Sequence, residues 1–162
     1  MLYGPLHFVF YGARLAVVPE GVRDHAEGKS VFFRQALLVG GAVVAISAAW
    51  TAVIVALPDS IGEALLGDSW TDATDVRLTF GLYMVTQAVI IGATVGLRIV
   101  VAASSSLGAA LVSAVAIIAI PTVCATTGDL VTIGWGVAAG GAIGAVAWWW
   151  QLVRLRSPSL AT

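Results

Sequence analysis

The chain has 162 residues, 59% of them hydrophobic and 10% charged, with a net charge of −1 and a mean hydropathy of +0.97. A water-soluble domain carries about a quarter charged residues to clothe its surface, so a soluble globular protein is excluded and no nucleic-acid partner is expected. Cys124 is the single cysteine and the two histidines lie far apart from it, which leaves no disulfide, no CxxC pair and no recognisable metal site; no cofactor is expected.

In chain order, the first segment is Met1–Val18, closed by Pro19. It has no basic residue ahead of its apolar run, unlike a secretory signal. Eight residues (Leu2, Leu6, Phe8, Val9, Phe10, Leu15, Val17, Val18) favour insertion by about 3–4 kcal/mol together. Arg14 opposes with about 2.5–3.5 kcal/mol. Residues 1–19 therefore read as a marginal hydrophobic helix, one that places Met1 outside if it spans. Two readings of Arg14 stay open. It lies five residues before Pro19 and can snorkel to the inner headgroups. Alternatively His7, Tyr11 and Arg14, at i, i+4 and i+7, form a polar stripe that faces a protein cavity. On that second reading the segment is built to pack against helices this chain does not contain.

Four apolar spans follow, at 31–57, 78–101, 106–126 and 130–153. A helix rises about 1.5 Å per residue, so about 20 residues cross the roughly 30 Å hydrocarbon layer. The fold class is an all-α integral membrane bundle: four transmembrane helices plus the marginal N-terminal one. Between the first two spans, residues 58–76 form a loop with Asp59, Glu63, Asp68, Asp72 and Asp75. Ser60 and Glu63 have the spacing of a capping box, and Gly67 is a natural helix stop. A short interfacial helix anchored by Leu66 and Trp70 is one reading; a solvated acidic loop is the other. Gly92 with Gly96, and Gly136 with Gly140 and Gly144, form small-residue ridges that let helices approach closely. Pro121 should kink the third span. Trp148, Trp149 and Trp150 precede Arg154 and Arg156 and read as an aromatic belt.

Seven of the eight basic residues (Arg14, Arg23, Lys29, Arg34, Arg98, Arg154, Arg156) fall on one side when the helices alternate; only Arg77 falls on the other. The positive-inside rule makes the basic side cytoplasmic. The expectation is a multi-pass protein of the cytoplasmic membrane, with both ends of the four-helix block inside.

Intramembrane polar groups are the functional suspects. Tyr83 and Gln87 share one face of the second span. Arg34 and Arg98 sit at the cytoplasmic mouth, where a guanidinium suits phosphate oxygens. No carboxylate lies inside a span, and no Ser/His/Asp, HExxH or phosphate-binding glycine motif is present, so an enzyme is not expected.

The order of landmarks is Gly4-Pro5, Arg14, Pro19-Glu20, then Leu65-Leu66-Gly67-Asp68-Ser69-Trp70, then Gly96-Leu97-Arg98 and two Gly/Ala-rich helices. This resembles the carboxy-terminal part of Wzx-like polysaccharide flippases, relatives of the MATE-type exporters. The resemblance implies transport of lipid-linked oligosaccharide across the cytoplasmic membrane for surface polysaccharide synthesis, by bundles rocking around a cavity. Arg14, Arg34, Tyr83, Gln87 and Arg98 are then the substrate-path candidates. It covers only the last third of such a transporter. The chain is therefore expected to be a fragment or subunit that needs the lipid bilayer and either further helices or a homo-oligomer. Two alternatives stand beside it: a small structural membrane protein packed on a larger partner, and a complete four-helix polyprenyl-phosphate carrier.

Overall fold

A computed structural model describes residues 2–27, 32–100 and 103–156. Met1, Lys29 and the expected span ends at 31 and 101 lie outside the described residues. The described chain is all-α: α1 (Gly4–Ala26), α2 (Phe32–Val55), α3 (Asp59–Leu66), α4 (Ser69–Ile99), α5 (Ala103–Cys124), a 3₁₀ turn at Ala125–Thr127, and α6 (Leu130–Arg156). Four of these, α2, α4, α5 and α6, are long and apolar enough to cross a membrane.

Helix α4 is the spine. It packs against α1 and α2 on one side and α6 on the other, with α5 laid mainly on α6. Small residues set these contacts. A Cβ on Gly92 would stand 2.7 Å from the Ala36 carbonyl oxygen and 2.8 Å from the Gly40 Cα, so α2 and α4 touch backbone to backbone. A Cβ on Gly96 would press on Leu152 and Ala36. On α6, Gly140 lies against the backbone of Ala116 and Ile117, Gly144 against Ser113, and Gly136 against Pro121 and Cys124, all on α5. The opposite side of α6 presents Gly134 to Thr79 and Gly141 to Thr86 of α4. Between membrane helices such close approach replaces the hydrophobic effect.

These pairings fix direction. Thr51 meets Gly81 and Ala36 meets Gly96, so α2 runs antiparallel to α4; α6 runs parallel to α4, and α5 antiparallel to both.

Several expectations about element ends change. Helix α1 does not stop at Pro19 but continues through it to Ala26. Proline removes one backbone bond without ending a helix that neighbours hold in place. Nor does this helix wait for absent partners: Tyr3, Leu6 and Phe10 are buried in the chain's own core. Its first turn is pinned by hydrogen bonds. The Tyr3 hydroxyl donates to the Arg77 carbonyl (2.9 Å), and the Trp50 indole donates to the Leu2 carbonyl (2.9 Å). Its far end brings Gly21 against Gln35 and Ile99. Helix α1 thus runs along α4 from Arg77 to Ile99, parallel to it.

Helix α4 begins at Ser69, not at 78, which shrinks the expected 58–76 loop to α3 plus Gly67 and Asp68. The acidic residues did not mark a loop. Asp72 lies in the first turn of α4, where the positive end of the helix dipole favours an anion. The capping box does not form either. Pro58 is the N-cap of α3 without a side-chain cap, and Ser60 falls inside the helix. Gly67 does end α3, at φ 57°. Trp70 is no interfacial anchor: it is 2% exposed, lies flat on Gly62, and donates its indole N–H to Asp59 (3.0 Å). The tryptophan run also divides. Trp149 turns inward, donating to the Val89 carbonyl (2.9 Å) with Phe33 edge-on at 6.2 Å, while Trp150 is exposed beneath Arg154.

Helix α5 ends at Cys124, and Gly128 (φ 74°) turns the chain into α6. Asp129 caps that helix, accepting hydrogen bonds from the Thr132 hydroxyl (2.7 Å) and the Thr132 (3.0 Å) and Val131 (3.3 Å) amides. Those bonds, the Thr132 hydroxyl foremost, hold its carboxyl below the ordinary carboxylate range. A depressed folded-state pKa contributes stability that is complete above the unfolded value, about 3.9, and is lost as pH falls through the folded value. Hydrogen exchange at the Val131 and Thr132 amides is therefore expected to keep its protection at neutral pH and lose it on acidification below about pH 4. Asp129→Ala should expose both amides at every pH.

Candidate functional site

The face of α4 that carries Tyr83 and Gln87 is left uncovered between α1 and the α5–α6 pair. Two clefts share it. One, of about 130 Å³, lies along the α1–α4 seam and is lined by His7, Phe10, Tyr11, Arg14, Tyr83, Gln87 and Ile91. The other, of about 290 Å³, lies between α4, α5 and α6 and is lined by Tyr83, Gln87, Ser113, Trp148 and the glycine ridge at Gly140, Gly141 and Gly144. Tyr83 and Gln87 thus form the shared wall, as their i, i+4 spacing on one helix allows.

The polar stripe of α1 looks into the first cleft. Arg14 is half-buried, and its Nε has no hydrogen-bond partner among the described residues. The cleft lining agrees with the cavity reading of this arginine. Helix α1 continues twelve residues past Arg14, through Glu20, Arg23 and Asp24. Arg98, in the last turn of α4, is exposed yet close enough for the two positive charges to repel. Arg34, exposed in the first turn of α2, lines neither cleft.

Two lining residues escaped the sequence reading. Ser113 lies midway along the apolar part of α5, and its Oγ is buried without a partner among the described residues. Its signal was weak: a serine seated opposite a glycine, Gly144. Trp148 was grouped with the belt, because three adjacent tryptophans look alike until the helix rotation separates them.

The two clefts offer one donor-only group, a guanidinium, and groups that both donate and accept: an amide, two phenols, an imidazole and a hydroxyl. Such a set binds oxygen-rich or anionic groups. Among the described residues, no three histidine, cysteine or acidic side chains gather as a metal site would need.

Fold and seam together define a class: an all-α protein with four helices long and apolar enough to cross a membrane, and a groove between helices lined by polar side chains. No protein-family model, no curated protein and no solved structure matches this chain.

Proposed function

We propose that the chain is a transporter element that moves a lipid-linked oligosaccharide across the cytoplasmic membrane, with the α1–α4 seam as part of the substrate path. The single observation that supports this reading is the half-buried Arg14, whose Nε has no hydrogen-bond partner among the described residues, on the wall of a cleft beside Tyr83 and Gln87. A charge held among apolar helices is costly and is by default a candidate functional group. A phosphate would neutralise it, and the amide and phenols would take sugar hydroxyls. On this reading the Arg34 and Arg98 end of the bundle is cytoplasmic, by the positive-inside rule, and Arg98 receives the phosphate before Arg14. Further helices, or a second copy, complete the path.

The test is export of surface polysaccharide in cells that depend on this chain. Gln87→Leu is expected to lower export at least tenfold while the protein reaches the membrane at parental levels. Export unchanged at normal protein level would remove the seam from the path.

A structural role beside a larger partner draws on one observation. Leu107, Leu111, Val115 and Ile118 form an exposed apolar stripe on α5, a face open to lipid or to another helix. In that role Gln87→Leu leaves export intact, and substitutions on the stripe do not. The glycine ridges do not favour it, because Gly136, Gly140 and Gly144 are taken up by the chain's own α5.

A further inference from the structure

At the α3 end of the bundle lies a cleft of about 370 Å³, which meets the groove at Gln87 only at His7. It is bounded by Leu2 and Tyr3 ahead of α1, Leu66 at the end of α3, and Val76, Arg77 and Phe80 on α4. Its size falls within the roughly 300–1,000 Å³ of small-molecule sites. The walls are mostly apolar, and the Tyr3 and Phe80 rings, 5.3 Å apart, form one side.

Arg77 is the sole lysine or arginine on the lining, and the His7 imidazole lies on the same wall. Its guanidinium stands 5.7 Å from the centre of the buried Trp70 ring. Its Nη1 is buried with no hydrogen-bond partner, and no carboxylate pairs with it among the described residues. That is unexpected in a neighbourhood rich in acids. Asp59 is committed to the Trp70 indole, while Asp72 and Asp75 are exposed. A buried donor left unmade is a group that calls for an explanation.

We propose that this cleft binds a single-chain anionic amphiphile, with its head on the Arg77 guanidinium and its tail along Leu66, Val76 and Phe80. The local charge argues for an amphiphile rather than a free anion. The carboxylates of residues 59–75 repel a dissolved phosphate, whereas burial of a tail brings the head to the one cation despite them. Arg77 is basic on the side of the bundle that holds almost no other basic residue, so it is not accounted for as a topology signal. The head is a carboxylate or a phosphate. Guanidinium recognises both, as a planar fork on two oxygens. The inference does not depend on the transport reading, since binding here requires no movement of substrate through the Arg14 groove.

The experiment is native mass spectrometry of the full chain in a neutral maltoside detergent, titrated separately with laurate, dodecyl phosphate, dodecanol and inorganic phosphate. One laurate or one dodecyl phosphate should bind per chain, at least about tenfold tighter than dodecanol (1.4 kcal/mol), and inorganic phosphate should not bind. If laurate binds tighter, the natural head is a carboxylate; if dodecyl phosphate does, a phosphate ester. Arg77→Gln should erase the preference over dodecanol. Dodecanol binding as tightly as the anions, or an undiminished preference in Arg77→Gln, overturns the proposal. Should Arg77→Gln fail to accumulate folded, Ala73→Phe decides, because it fills the cleft and keeps the charge. Loss of laurate binding there upholds the site, and unchanged binding rejects it.

Discussion

Gly92→Leu is expected to drive α2 away from α4 and remove most of the folded population. The position has no room even for a methyl group. The nearest atoms are the Ala36 carbonyl oxygen and the Gly40 Cα, both backbone, which cannot rotate aside as a side chain can. Overpacking a core costs about 1–3 kcal/mol where side chains absorb the strain. Here the helices must separate, so the loss is expected at or above about 3 kcal/mol. Gly41→Leu is the matched control, because a Cβ there meets nothing within 4 Å. It should change stability by less than about 0.5 kcal/mol. Thermal unfolding in detergent, read by tryptophan fluorescence, distinguishes the two, since Trp149 lies against this seam between Phe33 and Val89. A Gly92→Leu protein that melts with the parent would mean that α2 and α4 are not in backbone contact.

Arg14→Leu is expected to separate stability from function. Exchanging a central arginine for leucine favours membrane insertion by about 3–4 kcal/mol on translocon scales. It also removes a half-buried donor with no partner. The variant should therefore insert more completely and melt higher than the parent. Transport should nevertheless fall at least a hundredfold if this guanidinium meets the substrate's phosphate, in line with the loss of one buried charge-assisted contact of about 3 kcal/mol. Arg14→Lys keeps the charge without the planar fork and should recover part of the activity. Glycosylation mapping, melting and export together read the result. A variant less stable than the parent would show that Arg14 holds the fold, and one that transports normally would show that the seam has another use.

Much of the bundle was legible in the chain because its signals are strong. Long uncharged stretches such as 130–153 read directly as helices of membrane-spanning length, and the glycine spacing at Gly136, Gly140 and Gly144 already announced a close helix contact. Charge misled at the ends. Ser69–Arg77 holds three charged residues, yet it is the beginning of α4, because polar residues at a helix end cost nothing where water or headgroups surround it. Trp70 looked like an interfacial ring and is a core residue, since what decides is Gly62 four residues after Pro58, a bare patch into which an indole fits. The pairing of Tyr83 with Gln87 was visible from spacing alone. That Arg14 stands opposite them was not. Which helix lies beside α1 is a tertiary fact, settled by the Tyr3 and Trp50 hydrogen bonds across 74 and 48 residues of chain.

Those same bonds set an order of events during synthesis. Helix α1 is made long before α4, yet the carbonyl that Tyr3 grips belongs to Arg77, and the wall that shelters Arg14 is Tyr83 and Gln87. A ribosome that has made α1 but not yet α4 has produced a helix nearly indifferent between water and lipid. Its commitment must come after the spine has threaded into the bilayer, so a segment made before α4 settles after it.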